Sequence, residues 1–107
     1  MTDTTSPRLR QLQQMLVNEP DDTFLLYGLA LEYKKAGDAP RALESLDRVI
    51  ALDPGYCYAY YQKGQIYEST GGIDAAKQVY REGMTAAAKK GDTHARQELE
   101  GALSMIE

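Results

Sequence analysis

The chain is short of nearly everything a catalytic or metal site is built from. It has one cysteine, Cys57, and one histidine, His94. A lone cysteine excludes an intramolecular disulfide and any cysteine-based metal cluster. His94 stands beside Asp92 with no nucleophile to activate and too few strong ligands around it for a metal. It falls 34 residues after Tyr60 and reads as a packing or partly exposed residue. Cys57 lies near a helix N-terminus, where the dipole lowers a thiol pKa, but Tyr56, Tyr58 and Tyr60 around it point to a packed, inert thiol. The pair Gly71-Gly72 lacks the Lys-Ser/Thr that completes a phosphate loop and reads as an inter-helix turn. The pairs Lys34-Lys35 and Lys89-Lys90 read as solvated helix ends. No enzyme, cofactor or metal is expected.

Long apolar runs are missing too. No segment approaches the ~20 apolar residues of a membrane span, and Met1 to Ser6 is polar, without the apolar stretch of a signal peptide. There is no basic excess: the net charge is −4, which argues against a nucleic-acid or anionic-membrane surface. Runs of one sign are absent, and 43% hydrophobic residues in 107 suffice for one domain with an ordinary core. A cytoplasmic location is expected.

What the chain does have is a period. Tyr33 and Tyr67 are 34 residues apart, as are Tyr27 and Tyr61, Gly37 and Gly71, and Ala42 and Ala76. One step upstream, Leu9 answers to Leu43, Leu12 to Leu46 and Pro20 to Pro54. Such self-similarity marks stacked copies of one supersecondary unit. Within each copy the apolar spacing is helical. Leu9, Leu12, Met15 and Leu16 predict a helix over 7–19, ended by Pro20. Asp21 or Asp22 caps the next, 22–36, with Leu26, Leu29, Ala30 and Tyr33 on one face and Gly37 as its left-handed stop. Asp38 caps a third, 39–52, with Ala42, Leu43, Leu46, Val49 and Ile50 inward, and Pro54-Gly55 closes it.

The cycle then repeats as helices 56–70 and 73–90 around Gly71-Gly72. Where Pro20 and Pro54 stood, the register now places Ala88, so the fifth helix should run on to the break at Gly91-Asp92. A last helix, 93–106, carries Ala95, Leu99, Ala102, Leu103 and Ile106 on one stripe, and Glu98, Glu100 and Glu107 on a solvating face. No strand signal competes.

Residues 23–56 read Leu26-x2-Leu29-Ala30-x2-Tyr33, then Ala42-x3-Leu46, then Pro54. Residues 57–90 read Tyr60-x2-Lys63-Gly64-x2-Tyr67, then Ala76-x3-Tyr80, without the proline. This pattern resembles the tetratricopeptide repeat (TPR), W-x2-L-G-x2-Y, A-x3-F, P. The resemblance implies an all-α, TPR-type α-solenoid of antiparallel helix pairs, about six helices in a right-handed superhelical stack. It would form a single domain over 1–107: a half-repeat helix at 7–20, full repeats at 23–56 and 57–90, and a capping helix at 92–107. The spacing has a physical reason of its own. Ala30 with Ala42, and Gly64 with Ala76, are small where two helices must approach to ~8–10 Å. Leu26, Tyr33, Leu46, Tyr60, Tyr67 and Tyr80 are the large residues beside those contacts. Lys63 departs from the pattern and must snorkel its charge, or its helix must rotate. Gly83 costs roughly 1 kcal/mol in a helix relative to alanine, tolerable if it admits a bulky neighbour from the last helix.

The resemblance further implies that the first helix of each repeat lines a concave groove. Helical geometry then turns Phe24, Tyr27, Leu31 and Lys34 or Lys35 toward it from one repeat, and Tyr58, Tyr61 and Gln65 from the next. Aromatic side chains left over from the core suggest a recognition surface. Chaperone-binding members of the family hold a terminal carboxylate there with lysines and asparagines. Here Tyr27 and Leu31 replace the first pair, Gln62 the second asparagine and Asp92 a lysine, leaving only Arg96. The expected ligand is therefore an extended or helical apolar peptide or protein segment, with Lys34, Lys35 and Arg96 tolerating acidic residues in it. The alternatives are a homodimer through the same aromatic face or the terminal helix, and cover of that face by the chain's own N-terminal tail.

Overall fold

The structure, a computed structural model, describes residues 6–107; the polar N-terminal residues 1–5 considered above lie outside it. Six helices and no strand are found among the described residues: α1 (Pro7–Asn18), α2 (Thr23–Lys35), α3 (Ala39–Leu52), α4 (Cys57–Ser69), α5 (Ile73–Lys90) and α6 (Thr93–Ser104). The helices divide between two compact units, the first ending at Leu52 and the second running from Asp53 to Glu107.

In the first unit each helix start has a side-chain cap. Ser6 Oγ accepts from the amide of Leu9 at 3.0 Å, with Pro7 at the first helical position. Asp22 Oδ1 accepts from Leu25 at 3.0 Å, and Asp38 Oδ1 from Arg41 at 3.2 Å. These bonds satisfy amides that a helix start leaves unpaired, each worth about 1 kcal/mol. Between α2 and α3, Gly37 takes φ +79°, and the next amide, Asp38, donates back to the Tyr33 carbonyl at 2.9 Å. That reversal folds α3 onto α2.

The core of this unit is Leu9 and Leu12 of α1, Leu25, Leu26, Leu29, Ala30 and Tyr33 of α2, and Ala42, Ser45, Leu46 and Val49 of α3. Ala42, expected at the close approach of the pair, is fully buried. Leu43 and Ile50 are only half-buried. Ser45 is buried instead, so α3 is turned slightly from the inward face expected of it. Met15, also expected inward, is 46% exposed. The Tyr33 ring lies under the Arg41 guanidinium at 5.9 Å, and its hydroxyl accepts from Gln13 Nε2 at 3.1 Å.

The second unit repeats the pair and adds a helix. Its α5 has 18 residues against 14 in α3. Ala88 stands where a proline would end it, and Gly91 in the left-handed region (φ +76°) stops it instead. Asp92 Oδ1 then caps α6 through the amide of Ala95 at 3.0 Å. A methyl group on Gly64 would lie 2.2 Å from the Tyr80 ring, and one on Gly83 would lie 2.7 Å from Tyr60 Cβ and 3.0 Å from the Leu99 methyls. Gly83 is thus the point where α5 meets both α4 and α6, and Leu99 is the bulky neighbour it admits.

A core assignment in the second unit is also corrected. Tyr67 is half-buried, whereas Tyr33, Tyr60 and Tyr80 are buried. The cause is Lys63, whose ammonium sits 5.9 Å from the centre of the Tyr67 ring. A charge at a leucine position stays near water, and the ring that shelters it stays partly open.

Candidate functional site

The residues singled out from the sequence belong to three surfaces. On α2, Phe24, Tyr27, Leu31 and Lys34 follow one another at helical spacing, opposite the buried Leu25, Leu26, Leu29 and Tyr33. Phe24 is 74% exposed; Tyr27, Leu31 and Lys34 are half-buried. Burial holds the Lys34 ammonium below its usual pKa, because a partly desolvated charge is disfavoured.

On α4, one period later, Tyr58, Tyr61 and Gln65 form the corresponding stripe, all half-buried. Two of them are braced from behind. The Tyr58 hydroxyl is 3.5 Å from Glu98 Oε1 of α6, and His94 Nε2 is 2.5 Å from the same carboxylate oxygen. Burial, and then the charges of Glu98 and Asp92, push the Tyr58 phenol up. The Tyr61 ring packs at 6.2 Å and 52° against Tyr80. Tyr80 in turn donates its hydroxyl to Glu68. These braces fix the two rings in place, so a ligand meeting them finds a surface already ordered.

Arg96 is not brought to these tyrosines. His94 and Glu98 are four apart on the side of α6 that faces Tyr58, and Arg96, midway between, points roughly 200° away. It lines a shallow depression of about 340 Å³ with Arg81, Met84, Thr85 and Ala88. His94 itself is exposed rather than packed. The repeat pattern singles out neither Glu68 nor Glu98, the carboxylates that meet the Tyr80 and Tyr58 hydroxyls. The i, i+4 spacing of His94 and Glu98 is a signal for Glu98 alone.

Cys57 is buried and its thiol donates to the Gly55 carbonyl at 3.3 Å. Burial first, and the Asp92 charge second, push that thiol up, away from the thiolate form that reacts. Among the described residues no group of three or more His, Cys, Asp or Glu is placed to hold a metal ion. No helix among them is long and apolar enough to cross a membrane.

Known proteins share this fold. A family model described as tetratricopeptide repeat matches residues 45–78. A TPR repeat-containing protein of Pseudomonas aeruginosa is 35% identical over 88 residues, which span 82% of this chain and 84% of that protein. The chain belongs to the tetratricopeptide repeat family. The solution structure of a TPR domain protein from Salinibacter ruber is 34% identical and matches with a TM-score of 0.77, over 82% of this chain and 89% of that one. A solution structure from Bordetella parapertussis matches with a TM-score of 0.80 at 26% identity, over 92% of this chain and 85% of that one. TPR domains are in general non-catalytic folds that bind other proteins. The stripes on α2 and α4 are side chains that the buried core of each unit does not use.

Proposed function

We propose that this TPR protein is a non-catalytic adaptor or accessory module that binds an extended or helical apolar segment of a partner protein. Each unit offers one stripe of contacts: Phe24, Tyr27, Leu31 and Lys34 on α2 in the first, and Tyr58, Tyr61 and Gln65 on α4 in the second. The observation that carries the reading is the exposure of Phe24 at 74%, on a stripe that recurs one period later as Tyr58 and Tyr61. An aromatic ring left in water at a repeated position is a contact waiting for a partner, and rings supply much area with few rotatable bonds. Lys34 selects further. An acidic side chain docking beside it would offset the burial that now disfavours its charge.

The test is capture from a native cell extract by the immobilised chain, compared with capture by a Phe24→Ala/Tyr58→Ala variant. We expect a defined partner that the variant no longer retains, and a free chain that is monomeric at high micromolar concentration. Equal capture by both chains would refute the reading. A dimer dissolved by the same substitutions would assign these rings to self-association instead.

A further inference from the structure

The second unit has a concavity on its other side. An open hollow of about 360 Å³ is lined by Pro54 and Gly55 of the loop before α4, Tyr60 of α4, and Glu82, Thr85, Ala86, Lys89 and Lys90 of α5. Tyr60 lies two residues from Tyr58 and so points roughly 200° away from the Tyr58 stripe. This site is therefore separate from the one proposed above.

Comparison with the first unit explains why the space exists. One period earlier, Glu82 is Arg48, Gly55 is Asp21 and Ala86 is Leu52. In the first unit Arg48 forms an ion pair with Asp21, tying the helix to the loop. In the second unit neither partner is present, the leucine has become alanine, and the longer α5 carries Lys89 and Lys90 past the loop. Lys90 Nζ donates to the Gly55 carbonyl at 3.2 Å, and the Tyr60 hydroxyl to the Pro54 carbonyl at 2.8 Å. The walls are thus held in place while the middle is left open. Among the described residues Lys89 makes no ion pair, and Glu82 accepts only a long hydrogen bond, 3.4 Å, from Gln78.

We infer that this cavity is a second protein-docking site, which takes one large apolar side chain from a partner segment that carries a basic residue on one side and an acidic residue on the other. The volume is at the lower end of the range for ligand sites, about 300–1,000 Å³, right for a single anchor residue of the kind that dominates small interfaces. The charges are set by the rim. Glu82 and Lys89 are seven residues apart on α5, about 10 Å along its axis, with Thr85 and Ala86 between them. An extended segment covers that distance in about three residues. Complementary charges at its two ends would fix its direction and reject segments of one sign.

The probe is the peptide acetyl-Lys-Ser-Phe-Glu-amide, titrated into the isotopically labelled full chain while backbone amide shifts are followed. We expect saturable shifts at Gly55, Thr85, Ala86 and Lys89. Affinity should fall at least tenfold when the probe's Phe is replaced by Ala. Ala86→Leu, which restores the residue of the first repeat, should remove the shifts. Lys89→Glu, an exposed change that leaves the fold intact, should weaken binding several-fold and decides the matter alone if Ala86→Leu fails to fold. Absence of shifts at these amides, or binding unchanged in Lys89→Glu, would overturn the inference. So would shifts that follow protein concentration without peptide, since they assign the cavity to a second copy.

Discussion

The ring of Tyr80 occupies the space that any side chain on Gly64 would need: a methyl group there would lie 2.2 Å from it. Alanine at 64 would gain about 1 kcal/mol in helix propensity and lose more, because overpacking a filled core costs typically 1–3 kcal/mol and here the obstacle is a rigid, fully buried ring. Gly64→Ala should lower stability by roughly 1–2 kcal/mol net in urea denaturation. A neutral or stabilised variant would show that the two helices do not approach as described.

The Tyr80 hydroxyl, donated to Glu68, makes a second prediction. Tyr80→Phe should lose about 1–3 kcal/mol, the range for a hydrogen bond to a charged acceptor. Burial first, and the bond to Glu68 second, push the Tyr80 phenol above its ordinary value. A phenol raised in the folded state favours folding while it is neutral. Its contribution is therefore complete below the unfolded value of about 10 and is lost as pH climbs above it. Stability measured from pH 9 upward should fall less steeply in Tyr80→Phe than in the parent chain; identical slopes would remove Tyr80 from the alkaline transition.

The two tyrosines that mark the period should no longer respond alike. Tyr33→Ala removes a buried ring with two polar contacts and should cost about 3–5 kcal/mol. Tyr67 is half-open under Lys63, and Tyr67→Ala should cost clearly less. Chemical denaturation of the two variants side by side checks this, and equal losses would mean that Tyr67 is core after all.

Most of the fold was legible because its punctuation is local. Pro20, Gly37, Gly71 and Gly91 act through their own backbone angles, and the helix bounds expected from them agree with those found to within two residues. What was not legible depends on partners far along the chain. Glu68 meets Tyr80 across 12 residues and Glu98 meets Tyr58 across 40, and neither pairing follows from a 34-residue step. The openness of Tyr67 depended on the direction in which Lys63 escapes the core. Of the candidate site, the stripes on α2 and α4 could be read from helical spacing, whereas the side of α6 on which Arg96 lies required the Tyr58–Glu98 contact to set the rotation. The cavity beside Gly55 arises from differences between the repeats, to which a search for likeness is blind.

If the rings excluded from the core form the recognition surface, losing them removes binding and spares the fold. The most direct measurement is the paired stability and partner capture of Phe24→Ala/Tyr58→Ala against the parent chain. We expect little change in helicity, a loss of about 1 kcal/mol at most, since Phe24 is exposed and the Tyr58–Glu98 contact is long, and capture reduced by tenfold or more. Undiminished capture, or a chain that unfolds on losing these two rings, would contradict it.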